Sequence, residues 1–116
     1  MKKENIIKAK SFTFAIEIVR LYKELSQSKQ EYVMSRQLLK SGTSIGANVR
    51  EAEFAQSKPD FISKMSISLK EANETDYWLE LLHKTDYINS DIYKKYKLQS
   101  SEIIKILVSI VKSAKN

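Results

Sequence analysis

At 116 residues with 42% apolar content, the chain suits one domain around one core, and its 2 glycines and 1 proline exclude the turn-rich punctuation of a many-stranded fold. The absence of cysteine excludes a disulfide framework, a thiolate metal site and a thiol nucleophile. A net charge of +6 directs attention to anionic partners, nucleic acid above all.

Apolar periodicity predicts a first helix over 8–25, with Phe12, Ile16, Val19 and Tyr22 on one stripe and Phe14, Ile18, Leu21 and Leu25 on another. A single core needs only one stripe, so the second implies burial against a further helix or a second subunit. A second helix is predicted over 36–56, with Ser35 as N-cap and Met34 packing on Leu39 as a hydrophobic staple. Its seam is Leu38, Gly42, Ile45, Val49 and Ala52. Gly42 and Gly46 each cost about 1 kcal/mol relative to alanine inside a helix, a cost that close packing would offset.

The third helix is predicted over 59–86. Ser57 and Asp60 have the spacing of a capping box, and Pro59 fits a first helical turn. Phe61, Met65, Ser68, Ala72, Thr75, Leu79 and Leu82 continue the three-four rhythm, and apolar residues from Tyr77 to Leu82 surround the helix, so that end is expected to be deeply buried. The fourth helix is predicted over 90–114, with Asn89 as N-cap and Asp91 in the first turn, where the helix dipole favours an anion. Near its end only Lys105, Ser109 and Lys112 form a polar stripe. Four long helices with short connections define an all-α fold, an antiparallel up-and-down four-helix bundle spanning 1–116 as one domain.

The basic start of the chain has no uninterrupted apolar core behind it, because Lys8, Lys10 and Glu17 break every candidate. The apolar stretch from Ile103 to Val111 is far short of the roughly 20 residues a bilayer span needs. A cytoplasmic protein without a membrane segment is the expectation.

Glu80-x-x-His83 has the spacing of carboxylate-bundle metal sites, but those need two such pairs and the chain has one histidine. His83 therefore reads as a surface or packing residue, and no metal, cofactor or catalytic group is expected. The serines lack a local base signature, and Gly42 and Gly46 lack the Lys-Ser/Thr of a phosphate loop. Tyr77 and Trp78 could stack a base, though their helical spacing reads first as core or interface. The charge is uneven. Residues up to Lys29 carry seven basic side chains against three acidic, and those from Tyr87 onward six against two. If the first and last helices are neighbours, Lys8, Lys10, Arg20, Lys23, Lys94, Lys95 and Lys97 become candidates for contacts to RNA or DNA phosphates.

The run Ser44-Ile45-Gly46-Ala47-Asn48-Val49-Arg50-Glu51-Ala52 places small residues, an amide and a carboxylate within a helix. With Gln37-Leu38-Leu39-Lys40-Ser41 before it, and Lys70-Glu71-Ala72-Asn73-Glu74-Thr75 and Trp78-Leu79 after it, it resembles the four-helix-bundle proteins encoded in intervening sequences of bacterial 23S rRNA genes. The resemblance maps Asn48, Glu51 and Glu74 onto that family's Asn-x-x-Glu-Gly motif and helix-3 glutamate, here read as a structural polar network. Ala52 stands in place of the usual glycine, and Gly46 in place of a common proline. The family is similar in fold to the accessory variability proteins of diversity-generating retroelements, which form five-fold barrels and bind nucleic acid and a reverse transcriptase. The resemblance thus implies a homo-oligomer, a pentamer foremost, that binds nucleic acid without being an enzyme. The alternative it implies is an adaptor for a partner protein such as a reverse transcriptase.

Overall fold

A computed structural model describes residues 2–116 and resolves them into α1 (Lys2–Lys23), α2 (Met34–Glu53), α3 (Lys58–Lys84) and α4 (Ser90–Lys115), with a π-helical turn, Glu24–Ser28, continuing α1. Among the described residues there is no strand. Each helix packs on the next in sequence and α4 closes back on α1, forming an antiparallel four-helix bundle of 44 × 21 × 19 Å. One end holds the start of α1, the α2–α3 turn and the end of α4. It is called the terminal end below.

The seams follow the predicted rhythm. Leu38, Gly42, Ile45, Val49 and Ala52 are buried on α2, as are Met65, Ser68, Ala72, Thr75, Leu79 and Leu82 on α3. Phe14, Ile18 and Leu21 enter the core from α1, and Leu25 from the π-helical turn that continues it. Small polar residues at the α2–α3 contact satisfy one another: the Ser68 hydroxyl donates to the Ile45 carbonyl at 2.9 Å, and the Thr75 hydroxyl to Ser41 Oγ at 2.9 Å. Such pairing is the condition for burying hydroxyls. Of the two glycines, only Gly42 is required by packing. A Cβ there would lie 2.8 Å from Ile18 Cγ1 and Cγ2, whereas at Gly46 it would meet Ser11 at an ordinary 3.4 Å.

Four boundaries differ from the sequence expectation. α1 begins at Lys2 rather than 8, because Ile7 is fully buried and Lys3 Nζ donates to Ser109 Oγ of α4 at 2.6 Å. Ser35 is not the N-cap of α2. It lies inside the helix, and the buried carboxylate of Glu31 accepts hydrogen bonds from the amides of Val33 (3.1 Å), Met34 (3.1 Å) and Ser35 (2.7 Å). α2 stops at Glu53, where Phe54 leaves helical geometry. α3 stops at Lys84, and Asp86 takes a left-handed φ of 68° beyond it. The caps of α3 and α4 form as expected, with Ser57 Oγ accepting from Asp60 N at 3.2 Å and Asn89 Oδ1 from Ile92 N at 2.9 Å. The expected deep burial around Tyr77 is also corrected. Leu79 and Leu82 are fully buried, but Tyr77 is 57% exposed, since a helix in a four-membered bundle keeps one face outward.

Candidate nucleic-acid interface

The α1–α4 neighbourhood that would unite the basic helices does form, and its register is a ladder of polar contacts. Lys3 meets Ser109, Lys10 meets Glu102 at 3.3 Å, and Glu17 meets Lys95 at 3.1 Å while its carbonyl accepts from the Tyr96 hydroxyl at 2.8 Å. Arg20 also pairs with Glu17 at 3.1 Å, Lys8 with Glu53 of α2 at 2.8 Å, and Lys97 with Asp76 of α3 at 2.8 Å. Thus Lys8, Lys10, Arg20, Lys95 and Lys97 each face a carboxylate, while Lys23 and Lys94 make no ion pair among the described residues. The mid-seam is an ion-pair zipper of mixed charge.

Its electrostatics follow from those partners. The hydrogen bond from Lys95, helped by Arg20, holds the Glu17 carboxyl below its usual range despite some desolvation. The hydrogen bond to Asp76 raises Lys97 above the ordinary lysine value, and Asp76 also accepts from the buried Ser100 hydroxyl. Burial, reinforced by the Glu17 charge, pushes the Tyr96 phenol from its usual 10.0 up to about 12. Between those values only the unfolded chain loses the phenolic proton, so stability falls as pH rises through that window, and Lys97 contributes in the same alkaline direction. Tyr96→Phe should flatten the decline of stability between about pH 10 and 12 by on the order of 2 kcal/mol. Denaturant melts at stepped alkaline pH measure this, and equal slopes for the two proteins would refute it.

The uncompensated charge lies elsewhere. Segments 2–8, 50–64 and 105–116, which meet at the terminal end, hold nine Lys and Arg against four Asp and Glu, leaving five of the six net positive charges there. Glu51 and Glu53 are already bound by Lys64 and Lys8. Lys2, Lys3, Lys58, Lys105, Lys112 and Lys115 make no ion pair among the described residues. Helical spacing sets Lys105 and Lys112 on either side of Ser109, so Lys3, bonded to that serine, joins them in one group. Counting charge along the chain could not show this, because three distant segments build the cluster. The polar stripe Lys105, Ser109, Lys112 was its signal.

The expected network of Asn48, Glu51 and Glu74 is not joined within the chain. Asn48 Nδ2 donates to the Ser44 carbonyl at 2.8 Å, Glu51 pairs with Lys64 at 3.2 Å, and Glu74 accepts from Trp78 Nε1 at 3.1 Å. Each therefore holds its own helix or one neighbour. His83 stacks on Tyr93 at 4.5 Å with its Nε2 3.2 Å from Ser90 Oγ, tying the end of α3 to the start of α4. Among the described residues no group of three or more His, Cys, Asp or Glu could hold a metal, and no helix is long and apolar enough to cross a membrane.

Two apolar faces stay uncovered. On α1 the stripe begun by Phe12 (51% exposed, with the Arg50 guanidinium 4.8 Å over its ring) and Ile16 points outward, and on α3 Ile67 and Tyr77 do. α1 and α3 are diagonal in the bundle, so the two faces are separate, and Arg50 over Phe12 sets the α1 face on the α1–α2 side.

The molecule is thus an antiparallel four-helix-bundle protein distinguished by its surface: a basic terminal end, an ion-paired flank and two separate apolar faces. The 23S rRNA-intervening sequence protein family matches residues 3–109, and the chain belongs to that family. It is similar to a crystal structure of a protein of unknown function from the S23 ribosomal protein family of Bacteroides thetaiotaomicron, with 58% identity over 95% of this chain and 98% of that one and a TM-score of 0.94. A search among curated proteins finds no match. Neither the family's description nor that of the Bacteroides protein states an enzymatic activity.

Proposed function

We propose that this is a non-enzymatic, cytoplasmic, homo-oligomeric protein that binds RNA or DNA through their phosphates. The observation that carries the reading is the concentration at the terminal end of lysines that make no ion pair among the described residues, because phosphate contacts supply the sequence-independent part of nucleic-acid affinity. Lys23 and Lys94 lie at the opposite end of the bundle and stand apart from that surface, while the five ion-paired candidates contribute less because each already faces a carboxylate, Arg20 and Lys95 sharing Glu17. The two separate apolar faces support oligomerisation. A patch on α1 meeting a different patch on α3 of the next copy is a heterologous contact, which gives a ring where its rotation closes rather than a two-fold dimer. A pentamer is the ring size that the likeness to the five-fold accessory proteins implies.

A second reading, an adaptor for a partner protein such as a reverse transcriptase, draws on Tyr77. This exposed aromatic packs edge-on against Trp78 and lies near Glu74 and Glu80, an acidic setting that suits protein better than phosphate.

Filter binding of structured RNA and duplex DNA across a salt series separates the two. The nucleic-acid reading expects log affinity to fall linearly with log salt, by roughly 0.9 per phosphate contact on duplex DNA. No detectable binding at about 50 mM salt, where the electrostatic contribution is strong, would leave the adaptor as the conclusion. Light scattering on the same samples tests the ring, and a monodisperse monomer at micromolar concentration would eliminate it.

A further inference from the structure

Among the described residues Phe54 is the most exposed large apolar side chain, at 81%, and it stands at the terminal end where α2 stops. The chain's other phenylalanines are better covered: Phe14 is in the core, Phe61 packs against it, and Phe12 lies beneath Arg50. Four residues beyond Phe54, across the α2–α3 turn, Lys58 opens α3 without an ion pair among the described residues. At the same end, a cavity of about 430 Å³ opens between α1, α2 and α3. It is lined by both neighbours of Phe54 (Glu53 and Ala55), by Asn5 and Ser57, and by Lys8 and Lys58. A second cavity, of about 530 Å³, adjoins it through the shared Glu4 and Phe61 and carries Lys2 and Lys3.

We infer that the terminal end binds single-stranded nucleic acid, with an unpaired base stacked on Phe54 and the flanking phosphates on Lys58, Lys2 and Lys3. The inference rests on the nucleic-acid reading above and adds the class of strand. Base-paired strands hide their π-faces within the helix, so an exposed aromatic at this lysine-rich end gains stacking contact from an unpaired base. The acids at this site are compatible with that arrangement. Glu53 is neutralised by Lys8 at 2.8 Å, and Asp60 is engaged by the Gln56 amide at 3.2 Å. Glu4 remains as an acceptor that a base amino group can meet but a phosphate avoids. Tyr77, the other exposed aromatic weighed for stacking, has Glu74 and Glu80 on its own helix face and lacks this cationic setting.

Fluorescence anisotropy with labelled oligo(U), oligo(dT) and a duplex of equal length tests the inference on the full chain. Wild type is expected to bind both single strands more tightly than the duplex at equal salt, and the two single-strand probes report whether the sugar matters. Phe54→Ala should weaken single-strand binding about tenfold while leaving duplex binding unchanged, and Phe54→Trp should restore it. The exposure of Phe54 makes loss of folding a minor concern, and melting curves with light scattering on each variant control for it. Single-strand affinity unchanged in Phe54→Ala, an equal loss on all three probes, or a change in oligomeric mass would overturn the stacking inference alone. Wild type binding none of the probes would instead overturn the nucleic-acid reading beneath it.

Discussion

Glu31→Ala should melt roughly 10 °C below the parent protein, a loss of about 2–3 kcal/mol. The Glu31 carboxylate accepts three amide hydrogens at the start of α2, two on Oε2 and one on Oε1. Charge-assisted bonds of this kind are stronger than neutral ones, and the anion also faces the positive end of the helix dipole. Truncation removes both acceptor oxygens and all three hydrogen bonds at a site only 8% exposed, where water replaces them poorly. It would also loosen the chain reversal, in which Gln30 holds a left-handed φ of 54° and the Glu31 amide donates to the Leu25 carbonyl at 2.9 Å. Glu31→Gln is expected to recover less than half of the loss, since its NH₂ would point a donor at an amide donor. Thermal melts followed by circular dichroism decide the matter, and an alanine variant within about 2 °C of wild type would show that the carboxylate is dispensable.

What could be read from the sequence divides by the range of the interaction. The buried seams of α2 and α3, and the starts of α3 and α4, depend on residues a few positions apart, so the three-four rhythm and the Ser57 and Asn89 caps were legible. The cap of α2 was not. A glutamate reaching forward onto three amides has no short signature, and Ser35 stands where a cap residue usually would. The partners of the basic residues were invisible for a related reason. Lys8 finds Glu53 and Lys97 finds Asp76 only when helices distant in sequence lie side by side. The wide apolar arc of α1 did resolve as two stripes with different fates. Phe14 and Ile18 are buried, whereas Phe12 and Ile16 remain on the surface.

Because charge accumulates at the terminal end, reversing Lys3, Lys105 and Lys112 together to glutamate should reduce nucleic-acid affinity by between two and three orders of magnitude at about 0.1 M salt. The estimate follows from counterion release, since each duplex phosphate contact scales affinity by salt to the power of roughly −0.9, or nearly one decade at that salt. The slope of log affinity against log salt should fall by about one for each lysine removed. All three side chains are exposed, so folding should survive, although a glutamate in the last turns of α4 opposes the helix dipole by about 0.3–1 kcal/mol. Reversing Lys94, Lys95 and Lys97 is the informative contrast. It sets glutamates against Glu17 and Asp76, so it should lower stability, and it should remove less of the salt slope because two of those charges already face a carboxylate. Equal binding losses for the two triples, with both proteins folded, would place the phosphate surface along the whole α1–α4 flank. A greater loss for the second would move it to the far end, around Lys23 and Lys94.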